Sequence, residues 1–176
     1  MVNRIAHLME EYGALEFGDF VLASGARSSY YLDIKKVVTQ PAALKEIAGA
    51  IARDYAFEVV AGVAVGGVPL AVAVSLESMK PFAIVRSQEK HHGKAGRIIG
   101  DVRGKHVLLV EDVTTSGGSA LFGICALRDA GATVNRVVTV VDRESGATAL
   151  LHENGVALDA LVRASDVIGR REEQQS

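Results

Sequence analysis

His106-Val-Leu-Leu-Val-Glu111-Asp112-Val-Thr114-Thr115-Ser116-Gly117-Gly118-Ser119-Ala120 is the stretch whose reading decides the fold. Val107 to Val110 is a continuous apolar run of strand length, the pattern of a parallel sheet covered on both faces. Glu111 and Asp112 follow at once. Hydroxyls and glycines run from Thr114 to Ser119, and a helical pattern begins near Ser119. Glycines let the backbone turn tightly and present its N–H groups. Those groups, the hydroxyls and a helix N-terminus together suit a phosphate. The carboxylates cannot serve the same phosphate, because like charges repel. They suit sugar hydroxyls, a cationic centre or a metal. The junction therefore offers an anion site beside a polyol or cation site, and a phosphorylated sugar satisfies both.

Working outward, strand patterns recur at residues 58–63, 82–86, 134–141 and 156–162. Helical patterns separate them, at about 41–55, 70–76, 121–130 and 147–154. The alternation predicts an α/β fold, a central parallel sheet with helices on both faces, joined by right-handed crossovers. Pro41 suits a first helical turn, and Gly131 suits the residue just past a helix end. Residues 3–12 read as a short amphipathic helix with Asn3 as N-cap and Ile5, Leu8 and Met9 on one face. Residues 14–34 stand outside the alternation and read as two short strands joined at Ser24-Gly25. The whole chain, 1–176, reads as one domain with its core at about 41–165.

Composition narrows the function. Hydrophobic residues make up 49% of the chain, ample for a core, and the net charge is -2. Nothing in that balance attracts nucleic acid or an anionic membrane. The single cysteine, Cys125, excludes an intramolecular disulfide; its apolar helical neighbours predict a buried structural thiol. The first residues lack a signal-peptide apolar core, so a cytoplasmic location is expected. Val59 to Leu76 is an uncharged run at the lower edge of membrane-span length. Gly62, Gly66, Gly67 and Pro69 interrupt it, which favours strand, turn and helix over a span.

Three further segments have two readings each. Ala64 to Pro69 is either a tight glycine turn or a place where backbone approaches a ligand closely. Arg86 to Arg97 is a polar loop of about a dozen residues, either a solvated loop or a mobile lid carrying positive charge to a polyphosphate. Its two histidines lack carboxylate or cysteine partners at ligand spacing, which discounts a metal. Asp142-Arg143-Glu144, at a strand end, is either a surface turn or part of a ligand site. The glycine patterns of dinucleotide-binding and Walker-type loops are missing.

The 106–120 stretch resembles the phosphoribosyl-pyrophosphate (PRPP) motif of type I phosphoribosyltransferases: an apolar strand, two acidic residues, then a Thr/Ser/Gly loop. Other segments resemble the orotate enzymes of that family, in their archaeal stand-alone form, over nearly the whole chain. These are Phe17-Gly-Asp-Phe20, Ser24-Gly25, Ser28-Ser-Tyr30-Tyr31-Leu-Asp33, the matching Arg86, Lys90, His92 and Gly93, and Val141-Asp142-Arg143 with Gly146. The resemblance implies transfer of the phosphoribosyl group of PRPP to orotate, giving orotidine 5′-monophosphate and pyrophosphate for UMP synthesis. It implies PRPP binding by Arg86, Lys90, His92, Glu111, Asp112, Val113, Thr114, Thr115, Ser116, Gly117, Gly118 and Ser119. Glu111, Asp112, Lys90 and His92 would take part in catalysis. Val65, Gly66 and Gly67 would form the pyrophosphate loop. Residues 14–34 would be a hood over the base, and Thr115, Arg143, Ser24, Tyr30 and Tyr31 would bind orotate. Arg27 has two even readings, a base contact or a solvated turn residue. Mg²⁺ would arrive on PRPP rather than on protein side chains, and the 86–97 lid would reach the neighbouring site of a homodimer. Two positions depart from the pattern: Gly66 and Ser87 stand where some relatives have lysine. A purine phosphoribosyltransferase and a non-catalytic PRPP-binding regulator are the rival readings.

Overall fold

A computed structural model of the chain describes residues 2–21, 27–87 and 96–166. Helix α1 (Val2–Glu11) leads into a hairpin of β1 (Leu15–Val21) and β2 (Arg27–Leu32). A short α2 (Lys35–Val38) and a longer α3 (Pro41–Asp54) follow. Then come β3 (Val59–Val63), α4 (Gly67–Ser78), β4 (Phe82–Val85), β5 (Ile98–Ile99), β6 (Val107–Thr114), α5 (Gly118–Asp129), β7 (Arg136–Asp142), α6 (Ala147–Glu153) and β8 (Ala157–Arg163). The main sheet has the order β5-β4-β3-β6-β7-β8. Every pairing in it is parallel except β4 with β5. The central parallel sheet expected from the sequence is present, with a two-residue antiparallel strand added at one edge. Two residues are too few to show a strand period, so the sequence pattern could not reveal it. Among the described residues no helix is long and apolar enough to cross a membrane.

The sheet is buried on both faces because its strands are apolar at successive positions. In β6, Leu108 and Val110 join a cluster with Ile5, Leu8 and Met9 of α1, Ile47 and Ile51 of α3 and Leu70 and Val74 of α4. Val107 and Leu109 point the other way, into a second cluster with Ile124 and Leu127 of α5 and Leu151 of α6. Side chains alternate across a strand, so one continuous apolar run feeds two cores. Truncating a fully buried member such as Leu109 or Ile124 to Ala would cost ~2–5 kcal/mol.

Local details differ from the sequence reading in three ways. Asn3 lies inside α1 rather than capping it. Cys125 is exposed, not buried. Ile124 and Leu127 face the sheet, and one residue on from Ile124 the helix has turned about 100° away. Finally, the strand expected over 106–111 does not end at Glu111 but continues through Asp112 to Thr114. Pairing with β7 holds it extended that far, with Val113 opposite Val141 and Thr114 opposite Asp142.

Candidate active site

The C-terminal ends of β3, β6 and β7 meet at one edge of the sheet, the edge at which open α/β sheets take ligands. Strand alternation sends the two carboxylates of β6 to opposite faces. Glu111 follows Leu109 toward α5, where it is 4% exposed and accepts a hydrogen bond from the Ser119 hydroxyl at 3.0 Å. Burial pushes its carboxyl up to about 7, against the opposing pull of the Ser119 bond and with a further rise from neighbouring Asp112. Asp112 is half-buried and follows Val110 toward the start of α4. Its Oδ1 accepts the Val113 amide at 2.9 Å. Among the described residues neither carboxylate has a cation as partner.

The loop after β6 is short. Gly117 adopts φ +84, a conformation that favours glycine, and a Cβ there would lie 3.0 Å from the Cα of Ala147. The first bond inside α5 runs from the Leu121 amide to the Gly117 carbonyl. The amides of Gly118, Ser119 and Ala120 therefore lack helical acceptors and form an anion cradle. The Thr114 hydroxyl is not in that cradle. It is buried and donates to Asp142 at 3.1 Å.

The second loop, Ala64 to Gly67, lies against β6. Its Ala64–Val65 peptide is cis. A Cβ on Gly66 would stand 2.6 Å from Asp112 Oδ2, and one on Gly67 2.6 Å from the Val110 carbonyl. Glycine at both positions lets this loop press directly on the strand that carries the carboxylates. Val65 is 83% exposed.

The third element is Arg143, just past β7. Its amide donates to the Thr114 carbonyl at 2.9 Å, and its guanidinium stands 5.4 Å from the Tyr30 ring of the hairpin. Tyr31 is exposed and packs 5.6 Å from Phe20. Hairpin, Arg143 and the β6 loop thus come together, although over a hundred residues separate Tyr30 from Arg143 in the chain. The 86–97 loop is clasped at its base: the Arg86 amide donates to the Arg97 carbonyl at 2.8 Å, and Arg97 Nη1 to the Ser87 carbonyl at 3.3 Å. Arg86 also reaches the Gly96 carbonyl at 3.5 Å. Lys90, His92 and Ser24 lie outside the described residues. The sequence singles out the Asp142-Arg143-Glu144 turn but assigns Asp142 itself no role; the structure shows it buried and accepting from Thr114, Glu144 and Thr148. The available signal was a carboxylate closing an otherwise apolar strand.

A strand ending in carboxylates, an amide cradle and a glycine loop thus meet at this edge of the sheet. The model of the phosphoribosyl transferase domain matches residues 33–154. The chain belongs to the phosphoribosyltransferase family. An orotate phosphoribosyltransferase from Methanoculleus marisnigri is 67% identical over 168 residues, covering 96% of this chain and 99% of that protein. The crystal structure of the Aeropyrum pernix orotate phosphoribosyltransferase aligns with a TM-score of 0.83 at 33% identity, covering 96% of this chain and 98% of that one. That of the Mycobacterium tuberculosis enzyme in complex with PRPP aligns at 0.74 and 30% identity, covering 93% and 98%. Within its family, the chain groups with the orotate phosphoribosyltransferases.

Proposed function

We propose that this chain transfers the 5-phosphoribosyl group of PRPP to orotate, giving orotidine 5′-monophosphate and pyrophosphate in pyrimidine synthesis. The observation that carries the reading is Arg143, set against Tyr30 and bonded through its amide to the end of β6. A planar guanidinium beside an aromatic face fits a flat base bearing a carboxylate. Orotate is already an anion, so no serine or cysteine nucleophile is required. The barrier lies in losing pyrophosphate from C1 of the ribose, which leaves a cationic ring. Amides of the 115–119 loop hold the 5′-phosphate, assisted by the Ser116 hydroxyl. Asp112, half-exposed at the strand end, receives ribose hydroxyls and favours positive charge on the ring. Glu111 supports it from the other face of the sheet.

Charge on the departing pyrophosphate needs neutralising. Arg86 stands at the base of the 86–97 loop, and Lys90 and His92 in that loop supply further positive charge. The glycine loop at Val65–Gly67 offers backbone amides. Mg²⁺ would supply the remaining positive charge on the polyphosphate. It prefers oxygen donors and commonly binds through one or two carboxylates plus substrate phosphates. In this reading it arrives bound to the oxygens of PRPP, and Asp112 stands where that complex would meet the end of β6 without ligating the ion directly. Closure of the 86–97 loop would exclude water that could hydrolyse PRPP.

The same reading takes the active form to be a homodimer in the cytoplasm. One observation supports the dimer. Leu76 is 71% exposed on the face of α4 that also carries Pro69 and Val72, and Val65 and Met79, just outside the two ends of the helix, are 83% and 87% exposed. Pro69, Val72 and Leu76, spaced three and four residues apart, make one apolar stripe on the helix. Light scattering should give twice the 18.6 kDa chain mass, and Leu76→Glu should halve it. A monomeric wild type would refute the dimer.

The decisive assay follows orotate by ultraviolet absorbance with PRPP and Mg²⁺, beside adenine, guanine, hypoxanthine and uracil. Orotate loss that requires PRPP is expected. Consumption of another base with orotate untouched would overturn the assignment of the hairpin and Arg143.

A further inference from the structure

Asp142 is a carboxylate buried to 5% exposure, and nothing in the proposed chemistry uses it. It sits between two other strands in register, with Thr114 of β6 on one side and Arg163 of β8 on the other. Three donors converge on it. The Thr114 hydroxyl reaches Oδ1 at 3.1 Å, the Glu144 amide reaches the same oxygen at 3.0 Å, and the Thr148 hydroxyl of α6 reaches Oδ2 at 3.4 Å. A buried carboxylate persists only where its oxygens are satisfied, so these partners hold it and it holds them.

What it holds is the turn that carries Arg143. Glu144 adopts φ +56, a conformation that costs a non-glycine residue free energy. Two bonds keep it there: its amide on Asp142 and its carboxylate on the Ser165 amide at 2.9 Å. Arg143 is pinned between them, with its amide on the Thr114 carbonyl and its carbonyl accepting the Ser145 hydroxyl at 3.1 Å. Thr114 ends the strand that bears Asp112. One carboxylate therefore ties the base-reading turn to the end of the ribose-binding strand.

We propose that Asp142 is a positioning residue that locks the Arg143–Glu144 turn to Thr114 and so sets the base-reading guanidinium at a fixed place relative to the ribose site. It does not touch substrate. The proposal rests on the reading of Arg143 as the orotate contact. Losing the lock would loosen orotate binding more than PRPP binding, because the amide cradle of α5 does not depend on Asp142.

The test compares Asp142→Ala, Asp142→Asn, Thr148→Val and Arg143→Ala in steady-state kinetics with each substrate varied in turn. Asp142→Ala should raise the KM for orotate about tenfold and that for PRPP less than twofold, the loss expected when the buried Thr114 hydroxyl is orphaned and the turn is released. Asp142→Asn should restore orotate KM to within about threefold of wild type, since its oxygen still accepts from Thr114 and Glu144 and its NH₂ can donate to Thr148. Thr148→Val is isosteric and should raise orotate KM about twofold, which keeps the test open if Asp142→Ala does not fold. An equal rise in both KM values, no rescue by Asn, or an unmoved orotate KM in Thr148→Val where Asp142→Ala is unfolded overturns the positioning role. Orotate KM raised in Arg143→Ala but not in Asp142→Ala overturns it alone. Orotate KM unmoved in Arg143→Ala overturns the Arg143 reading, and this proposal with it.

Discussion

The two ends of the central sheet carry similar residues and treat them differently. At the N-terminal end a cavity of about 360 Å³ opens among Tyr55, His106, Asn135 and Arg136. Its charges are mutually satisfied. Arg136 pairs with Asp159, and Glu58 accepts the His106 amide and pairs with Lys105. At the C-terminal end Glu111 and Asp112 lie side by side in sequence without a cation among the described residues, and the first amides of α5 lack helical acceptors. Charged side chains gather at both ends, so polarity alone does not pick out the site. Unspent electrostatic capacity does. A group left without a partner in the free protein is available to one that arrives with the substrate.

That contrast breaks most sharply at Asp112. Asp112→Asn should cut turnover ~10²–10³-fold, the usual cost of one electrostatic contact to a transition state, while thermal unfolding stays near wild type. Near-normal turnover would remove Asp112 from the chemistry.

Glu111 sharpens the comparison through pH. Its carboxyl is raised from 4.5 to about 7 by burial. Below about 4.5 it is protonated in folded and unfolded chain alike. Between 4.5 and 7 only the folded chain keeps the proton, so stability should fall as pH rises through that window, by at most about 3 kcal/mol. Glu111→Gln should flatten the dependence of Tm on pH between 5 and 8. A variant with the wild-type slope would show that another group is responsible.

A smaller effect is expected at Gly66, where an added Cβ would collide with the Asp112 carboxylate. Gly66→Ala should turn the Asp112 carboxylate out of place and raise the KM for PRPP about tenfold, with orotate KM little changed. An unchanged PRPP KM would mean that the loop's contact with Asp112 plays no part in binding.

The smallest effect belongs to the other end of the sheet. Arg136→Ala removes a half-exposed ion pair and should shift stability by less than ~1 kcal/mol with turnover within about twofold of wild type. A large drop in turnover would undo the contrast, because it would make the N-terminal cavity part of the working enzyme.

Much of this was legible in the chain because it is written locally. The apolar run of 107–110, the acidic pair after it and the Thr/Ser/Gly loop are contiguous, and strand and helix periods are short-range signals. The alternation of strands with helices then fixed the sheet's architecture and placed the loop at its working edge. Tertiary structure decided what depends on neighbours from elsewhere in the chain. Pairing with β7 carried β6 on to Thr114, and the pleat then sent Glu111 and Asp112 to opposite faces with different ionisation. Packing against α6 and β6 turned Asp142 from a strand-end residue into a buried junction. Helix rotation, not composition, left Cys125 on the surface. Sequence by itself determined which chemical groups stand on which element; the tertiary structure decided which are spent on each other and which remain free, because burial and partnership are properties of the assembled fold.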